Sequence, residues 1–148
     1  MALITKGAAH SMDISLSGAY PQGFGPSDPT LLKMAGHRIG PFVAGEALGD
    51  LAPCYIKNDG KLYQSTGAAA NAAAKVVGYC IGGANLGDQA YLVYDFVCVY
   101  AAGGLTPGAF VYLGTAAGTL DTAATTGGTA YIGIVLDANR ILLKQGTY

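Results

Sequence analysis

Charge is scarce in this sequence. Asp, Glu, Lys and Arg make up 11% of its 148 residues, where a soluble domain ordinarily carries about 25%. Basic and acidic residues nearly cancel to a net charge of -1. That leaves no basic stripe to hold a nucleic acid and no polybasic cluster to hold an anionic membrane surface. Trp is absent, and His occurs only twice. Cys54, Cys80 and Cys98 are an odd set with no close pair, which makes neither a disulfide framework nor a zinc site. Each lies in a strand-like run, where a free thiol behaves as a small buried hydrophobe; a reducing cytoplasm is the expected place of synthesis. Long apolar runs are missing too. Residues 1–6 do not combine a basic region with an apolar stretch, so no secretory signal is read there. The most apolar stretch, 91–102, contains Asp95 and falls short of the ~20 residues a membrane helix needs.

Catalytic constellations are equally thin. His10 and His37 both fall in the irregular first part of the chain, where nothing would orient them as bases. The string nearest a nucleophile elbow, Gly25-Pro26-Ser27-Asp28-Pro29, ends in proline, and Gly60-Lys61 lacks the upstream glycine of a phosphate loop. Glu46 is the only Glu, which leaves no obvious pair of facing carboxylates for glycoside hydrolysis. Asp50, Asp59, Asp88 and Asp137 sit at turns, where carboxylates bond the local backbone. Asp95 stands inside the most apolar run. It is either a buried acid of functional interest or an acid accepting backbone donors at a bulge or edge, the commoner arrangement. Oxygen ligands near Asn58-Asp59 or Asn85 and Asp88 are too sparse for calcium. The reading is therefore a protein that is not an enzyme and has no catalytic, cofactor or metal site.

What the sequence does have is glycine, alanine and β-branched residues around an irregular start. Residues 1–44 hold four of the six prolines and both His. Proline removes donors and pushes the preceding residue towards extended geometry, so 18–29 is not helical. Ile14, Leu16, Phe24, Leu31, Leu32 and Phe42 punctuate this segment. It reads as an extended N-terminal arm that lies on another subunit or protein, with those six residues as its anchors.

Residues 45–148 read as an all-β domain, a small Gly-rich barrel or sandwich. Strand-like runs fall at 53–57, 61–66, 75–81, 89–100, 109–114, 129–136 and 140–144, separated by turn signals. Asp59-Gly60 predicts a two-residue type I′ hairpin turn. The run 89–100 is apolar on both alternating faces and predicts one central strand covered on both sides. The alanine-rich stretch 65–75 fits a helical turn or a small-residue loop equally. Six tyrosines (Tyr55, Tyr79, Tyr91, Tyr94, Tyr112, Tyr131) lie within strand patterns, which favours packing over stacking on a sugar or base. There is also an internal echo: Tyr55-Ile56 with Gly60 and Leu62 against Tyr112-Leu113 with Gly118 and Leu120, then Val77-Gly78-Tyr79 against Ile132-Gly133-Ile134. We read 45–102 and 103–148 as two related β units.

Several strings, in this order and spacing, resemble the capsid decoration (cement) proteins of tailed bacteriophages. They are Gly45-Glu46-Ala47-Leu48, residues 55–63 (Tyr-Ile-Lys-Asn-Asp-Gly-Lys-Leu-Tyr), Val76-Val77-Gly78 before the Gly87-Asp88 turn, Leu105-Thr106-Pro107-Gly108 leading into Tyr112-Leu113-Gly114, and Ile132-Gly133-Ile134-Val135-Leu136. The resemblance spans roughly residues 43–145 and leaves the arm unmatched. It implies a homotrimer on the outer surface of a mature icosahedral head, with the major capsid protein as partner and no nucleic acid or membrane involved. A carbohydrate-binding or adhesin module on a virion surface is the alternative; it would need exposed aromatics in a groove.

Overall fold

The computed structural model describes residues 37–146 in full, together with the backbone pairing of Leu3–Ile4 and Ala9–Met12. The protein is all-β, as the pattern of short runs and turns predicts. In chain order the strands are β1 (Leu3–Ile4), β2 (Ala9–Met12), β3 (His37–Val43), β4 (Pro53–Ile56), β5 (Leu62–Gln64), β6 (Gly78–Cys80) and β7 (Gln89–Tyr94). They continue as β8 (Phe96–Tyr100), β9 (Phe110–Leu113), β10 (Leu120–Asp121), β11 (Gly133–Val135) and β12 (Arg140–Leu143). The alanine-rich stretch supplies a single 3₁₀ turn, Ala72–Ala74, capped by Asn71 Oδ1, which accepts from the Ala73 N–H at 2.9 Å.

Two curled antiparallel sheets result, ordered β3-β7-β6-β4-β5 and β1-β10-β9-β11-β12-β8-β2. Apart from β1 and β2, the second order is β8-β12-β11-β9-β10 read from its other end. Each sheet is thus five consecutive strands in the same spatial order: first, fifth, fourth, second, third. The register agrees as well. Cys54 faces Gly78 as Val111 faces Gly133, and Pro53 faces Tyr79 as Phe110 faces Ile134. Tyr79 then faces Val93 as Ile134 faces Leu142. The two related units are therefore real, but their limits shift from the 45–102 and 103–148 of the sequence reading. The first unit runs from β3 to β7 and the second from β8 to β12.

The shift comes from Asp95. The run 89–100 is two strands rather than one, because Asp95 takes a left-handed φ of +52° and turns the chain from one sheet into the other. The Asp59-Gly60 turn is also corrected. Only Gly60 has positive φ (+78°); its N–H donates to Lys57 O at 2.9 Å, and the Lys57 N–H donates to Lys61 O at 3.1 Å. That is the three-residue loop with a left-handed last residue, which needs one glycine rather than two residues at positive φ.

Call the side of each sheet that bears Cys54, Cys80 and Leu92, or Val111, Val135 and Ile141, its inner face. The inner face of the first unit packs with Ala44, Leu48 and Leu62 into a small core. The inner face of the second unit forms the larger core, and the residues that fill it include Tyr79 and Val93 from the outer face of the first. The units are thus nested, one sheet's back lying in the other's hollow. Tyr79 meets Phe96 edge-on at 5.5 Å, and its hydroxyl donates to Lys144 O at 2.9 Å.

Candidate interaction surface

Among the described residues, the nesting leaves one face bare. On the outer face of the first unit, Pro53, Tyr79 and Val93 stand side by side across three strands and are all buried. The matching row of the second unit is Phe110, Ile134 and Leu142, with Val97 continuing it on β8. Here Phe110 is 45% exposed and Leu142 39%, whereas Tyr79 and Val93 are at most 1% exposed. Tyr131 and Leu136 flank Ile134 along its chain and are exposed as well. Four of the seven large hydrophobics exposed among the described residues therefore share this face. Scattered apolar residues on a surface need no explanation, but a contiguous group does.

Local chemistry fixes the face's shape. Phe110 stacks on Tyr131 with centroids 4.3 Å apart, and Lys144 Nζ lies 4.3 Å over the same Tyr131 ring. Tyr131 is nonetheless 37% exposed. Beside them Asp95, Tyr131, Gly133, Ile134, Leu142 and Lys144 line a shallow depression of about 210 Å³. Asp95 is not the buried acid its neighbours allowed. Its side chain is half exposed and lies 3.9 Å from His37 Nε2.

The arm residues divide. Phe42 lies on β3, half-buried against the small core of the first unit. Ile14, Leu16, Phe24, Leu31 and Leu32 lie outside the described residues. The strands around them all sit at sheet edges: β1 along β10, β2 along β8 and β3 along β7. Residues 13–36 therefore join two edge strands on the two sheets.

Three of the four turn carboxylates, Asp50, Asp59 and Asp137, accept from backbone N–H groups, as their positions predict. Asp59 Oδ1 accepts from the Lys61 N–H at 2.9 Å and Asp137 Oδ1 from the Asn139 N–H at 2.9 Å. Asp50 reaches further, accepting from the Gly82 N–H at 3.0 Å. Both Asp59 and Asp137 are held below the usual carboxylate range, first by these N–H donors and then by the Tyr63 hydroxyl and the Arg140 guanidinium respectively. The three cysteines are free and buried. Burial pushes the Cys80 thiol up to about 11 and the Cys98 thiol to about 12, and raises Cys54 further. Thiols held neutral in this way are structural, not nucleophilic.

Among the described residues no group of three His, Cys, Asp or Glu could hold a metal ion, and no helix is long and apolar enough to cross a membrane. Against known proteins, the chain matches no family model and resembles no curated protein significantly. The sequence reading missed the bare face. Its signal was the internal echo, which places Ile134 opposite Tyr79 in the alignment but does not say which of the two is covered.

Proposed function

We propose that this protein is a non-enzymatic capsid decoration protein. In this reading it binds the outer surface of a mature icosahedral phage head as a homotrimer, contacts the major capsid protein, and reinforces the shell against the pressure of packaged DNA. The reading starts from the sequence resemblance. The observation that carries it is the placement of β1, β2 and β3 at sheet edges, with the anchor-bearing residues 13–36 strung between β2 and β3. A segment that leaves and returns through edge strands, and that carries proline and spaced apolar residues, is suited to lying along a foreign surface. It can also add backbone hydrogen bonds to an exposed strand there.

The energetics suit a contact that must resist outward pressure. A small body offers little area alone, and an arm enlarges the footprint. A trimer with three such arms must release them together, so its avidity exceeds that of one arm by orders of magnitude. With so little charge, adhesion relies on apolar burial and is expected to tolerate salt.

The test is co-sedimentation of the purified protein with expanded, undecorated heads. Wild type should pellet with the heads. A variant with Ile14→Ser, Leu16→Ser, Phe24→Ser, Leu31→Ser and Leu32→Ser should keep its β circular dichroism and lose at least about tenfold in affinity. Undiminished binding of that variant refutes the arm's role, and no binding by wild type refutes the function.

A further inference from the structure

We infer that residues 3–12 are exchanged between copies: β1 and β2 of one chain complete the second sheet of a neighbouring chain and join the two through backbone hydrogen bonds. The inference deepens the proposed homotrimer by naming what links its copies, and rests on that reading only for the number of copies.

The internal repeat shows that β1 and β2 are additions to the body. The first unit is a sheet of five strands that ends at β3 and β5. The second has its five strands in the same order and then one more at each end, β1 along β10 and β2 along β8. The five-strand plan stands without such flanks in the first unit, so the flanks of the second are separable from it.

The two strands also travel as one piece. Residues 5–8 join them, a connection that reaches at most about 18 Å, yet they sit at opposite edges of one sheet. Seven strands laid flat would hold them about 29 Å apart, so the sheet is curled until its edges approach. A donor of this shape grips both edges of a curled sheet at once. Another copy offers those two edges in the same register, with Leu3 opposite Asp121 and Met12 opposite Cys98. Exchange keeps each of these pairings, which is why swapping an identical element is a low-cost route to oligomers.

The connection to β3 moves the pairing from within a chain to between chains. Met12 faces Cys98 and His37 faces Tyr94, four residues apart along the continuous run of β7 and β8. With a strand spacing on either side, Met12 and His37 of one chain would then lie within about 25 Å of each other. Residues 13–36 are far longer than that gap. Pro21, Pro26 and Pro29 favour extended geometry in them, in which they would span about 75 Å. Closing such a segment within one chain sets its sequence against its end points. Leading it to an adjoining copy, one body diameter or roughly 40 Å away, satisfies both.

The experiment is disulfide trapping in the full-length chain. Met12→Cys places a thiol opposite the native Cys98. Facing Cα atoms of an antiparallel pair, about 4.5–5.5 Å apart, suit a disulfide. Ala9→Cys with Tyr100→Cys repeats the test at another facing pair, where Tyr100 is half-buried. Each protein is oxidised with copper–phenanthroline and run on a denaturing gel without reductant. Exchange predicts covalently joined chains in at least one variant, three in a closed trimer, which reductant returns to single chains. Adding Cys98→Ser to Met12→Cys should abolish them. Links confined within single chains overturn the inference. So do joined chains that survive Cys98→Ser, or the absence of any link in both variants, which denies the pairing of β2 with β8. Failure here is separable from failure of the decoration reading. Joined chains that ignore phage heads refute only the latter, and head binding by protein linked only within single chains refutes only the former.

Discussion

Glycine and cysteine show most directly how single residues hold this protein together. Gly78 and Gly133 occupy equivalent places, and each is tightly overlaid by the neighbouring strand. A Cβ on Gly78 would lie 2.8 Å from Leu92 Cβ, and one on Gly133 would lie 2.8 Å from Leu142 O and 2.9 Å from Leu143 Cδ2. Gly133→Ala should cost about 1–3 kcal/mol, the usual penalty for overpacking, measured by urea denaturation. This closeness explains why the echo Val77-Gly78-Tyr79 and Ile132-Gly133-Ile134 was readable in the sequence: both copies need the same small residue under the same strand. The cysteines were legible for a similar reason, since a thiol between apolar neighbours in a strand is ordinarily core. With folded pKa values above those of an unfolded chain, they hold their protons longer when folded. Their effect on stability is therefore neutral below the ordinary thiol value. Above it, stability falls as pH rises, through roughly 9 to 12, because only the unfolded chain ionises. A thiol reagent at pH 8 should find almost no reactive cysteine in native protein and all three in denaturant.

At the scale of elements, the hairpins were readable and the interruptions were not. The β4–β5 hairpin has its glycine because one residue must be left-handed, and its carboxylate because Asp59 bonds Lys61 N–H and the Tyr63 hydroxyl, the latter at 2.7 Å. Lys57 Nζ adds a contact 3.7 Å over the Tyr63 ring. Tyr63→Phe should raise the Asp59 pKa towards its ordinary value, seen by NMR titration. Because Asp59 titrates low in the folded protein, its contribution is present above the ordinary carboxylate range and disappears as pH falls through that lowered value. The break at Asp95 was invisible, since apolar residues continue on both sides of it. Aspartate tolerates left-handed backbone better than a branched residue does, so Asp95→Val should cost about 1–2 kcal/mol while Asp95→Gly costs little. Strand β3 was concealed by Gly40-Pro41, which reads as a stop. An edge strand tolerates proline because its outward N–H needs no partner, and the register of β3 against β7 shifts just there, between Ile39 and Phe42.

For the whole molecule, two units of one plan are nested and joined by side-chain and backbone bonds that cross between them. Tyr79 is the clearest such link, buried from the back of one sheet into the hollow of the other. Tyr79→Phe should cost about 1 kcal/mol by leaving Lys144 O without that donor, and Tyr79→Ala about 3–5 kcal/mol, both read as shifts in the denaturation midpoint. The nesting was not legible in sequence because Pro53, Tyr79 and Val93 are no more apolar than Phe110, Ile134 and Leu142. Only tertiary packing decides which row is covered. Outside the two cores, the described residues of a charge-poor chain leave a row of exposed apolar side chains on the second unit, a feature suited to adhesion. The most direct measurement of that claim is a cryo-electron microscopy reconstruction of expanded, undecorated tailed-phage heads incubated with the purified protein. The account predicts added three-lobed density over the three-fold and quasi-three-fold positions of the shell; heads that emerge with bare surfaces would contradict it.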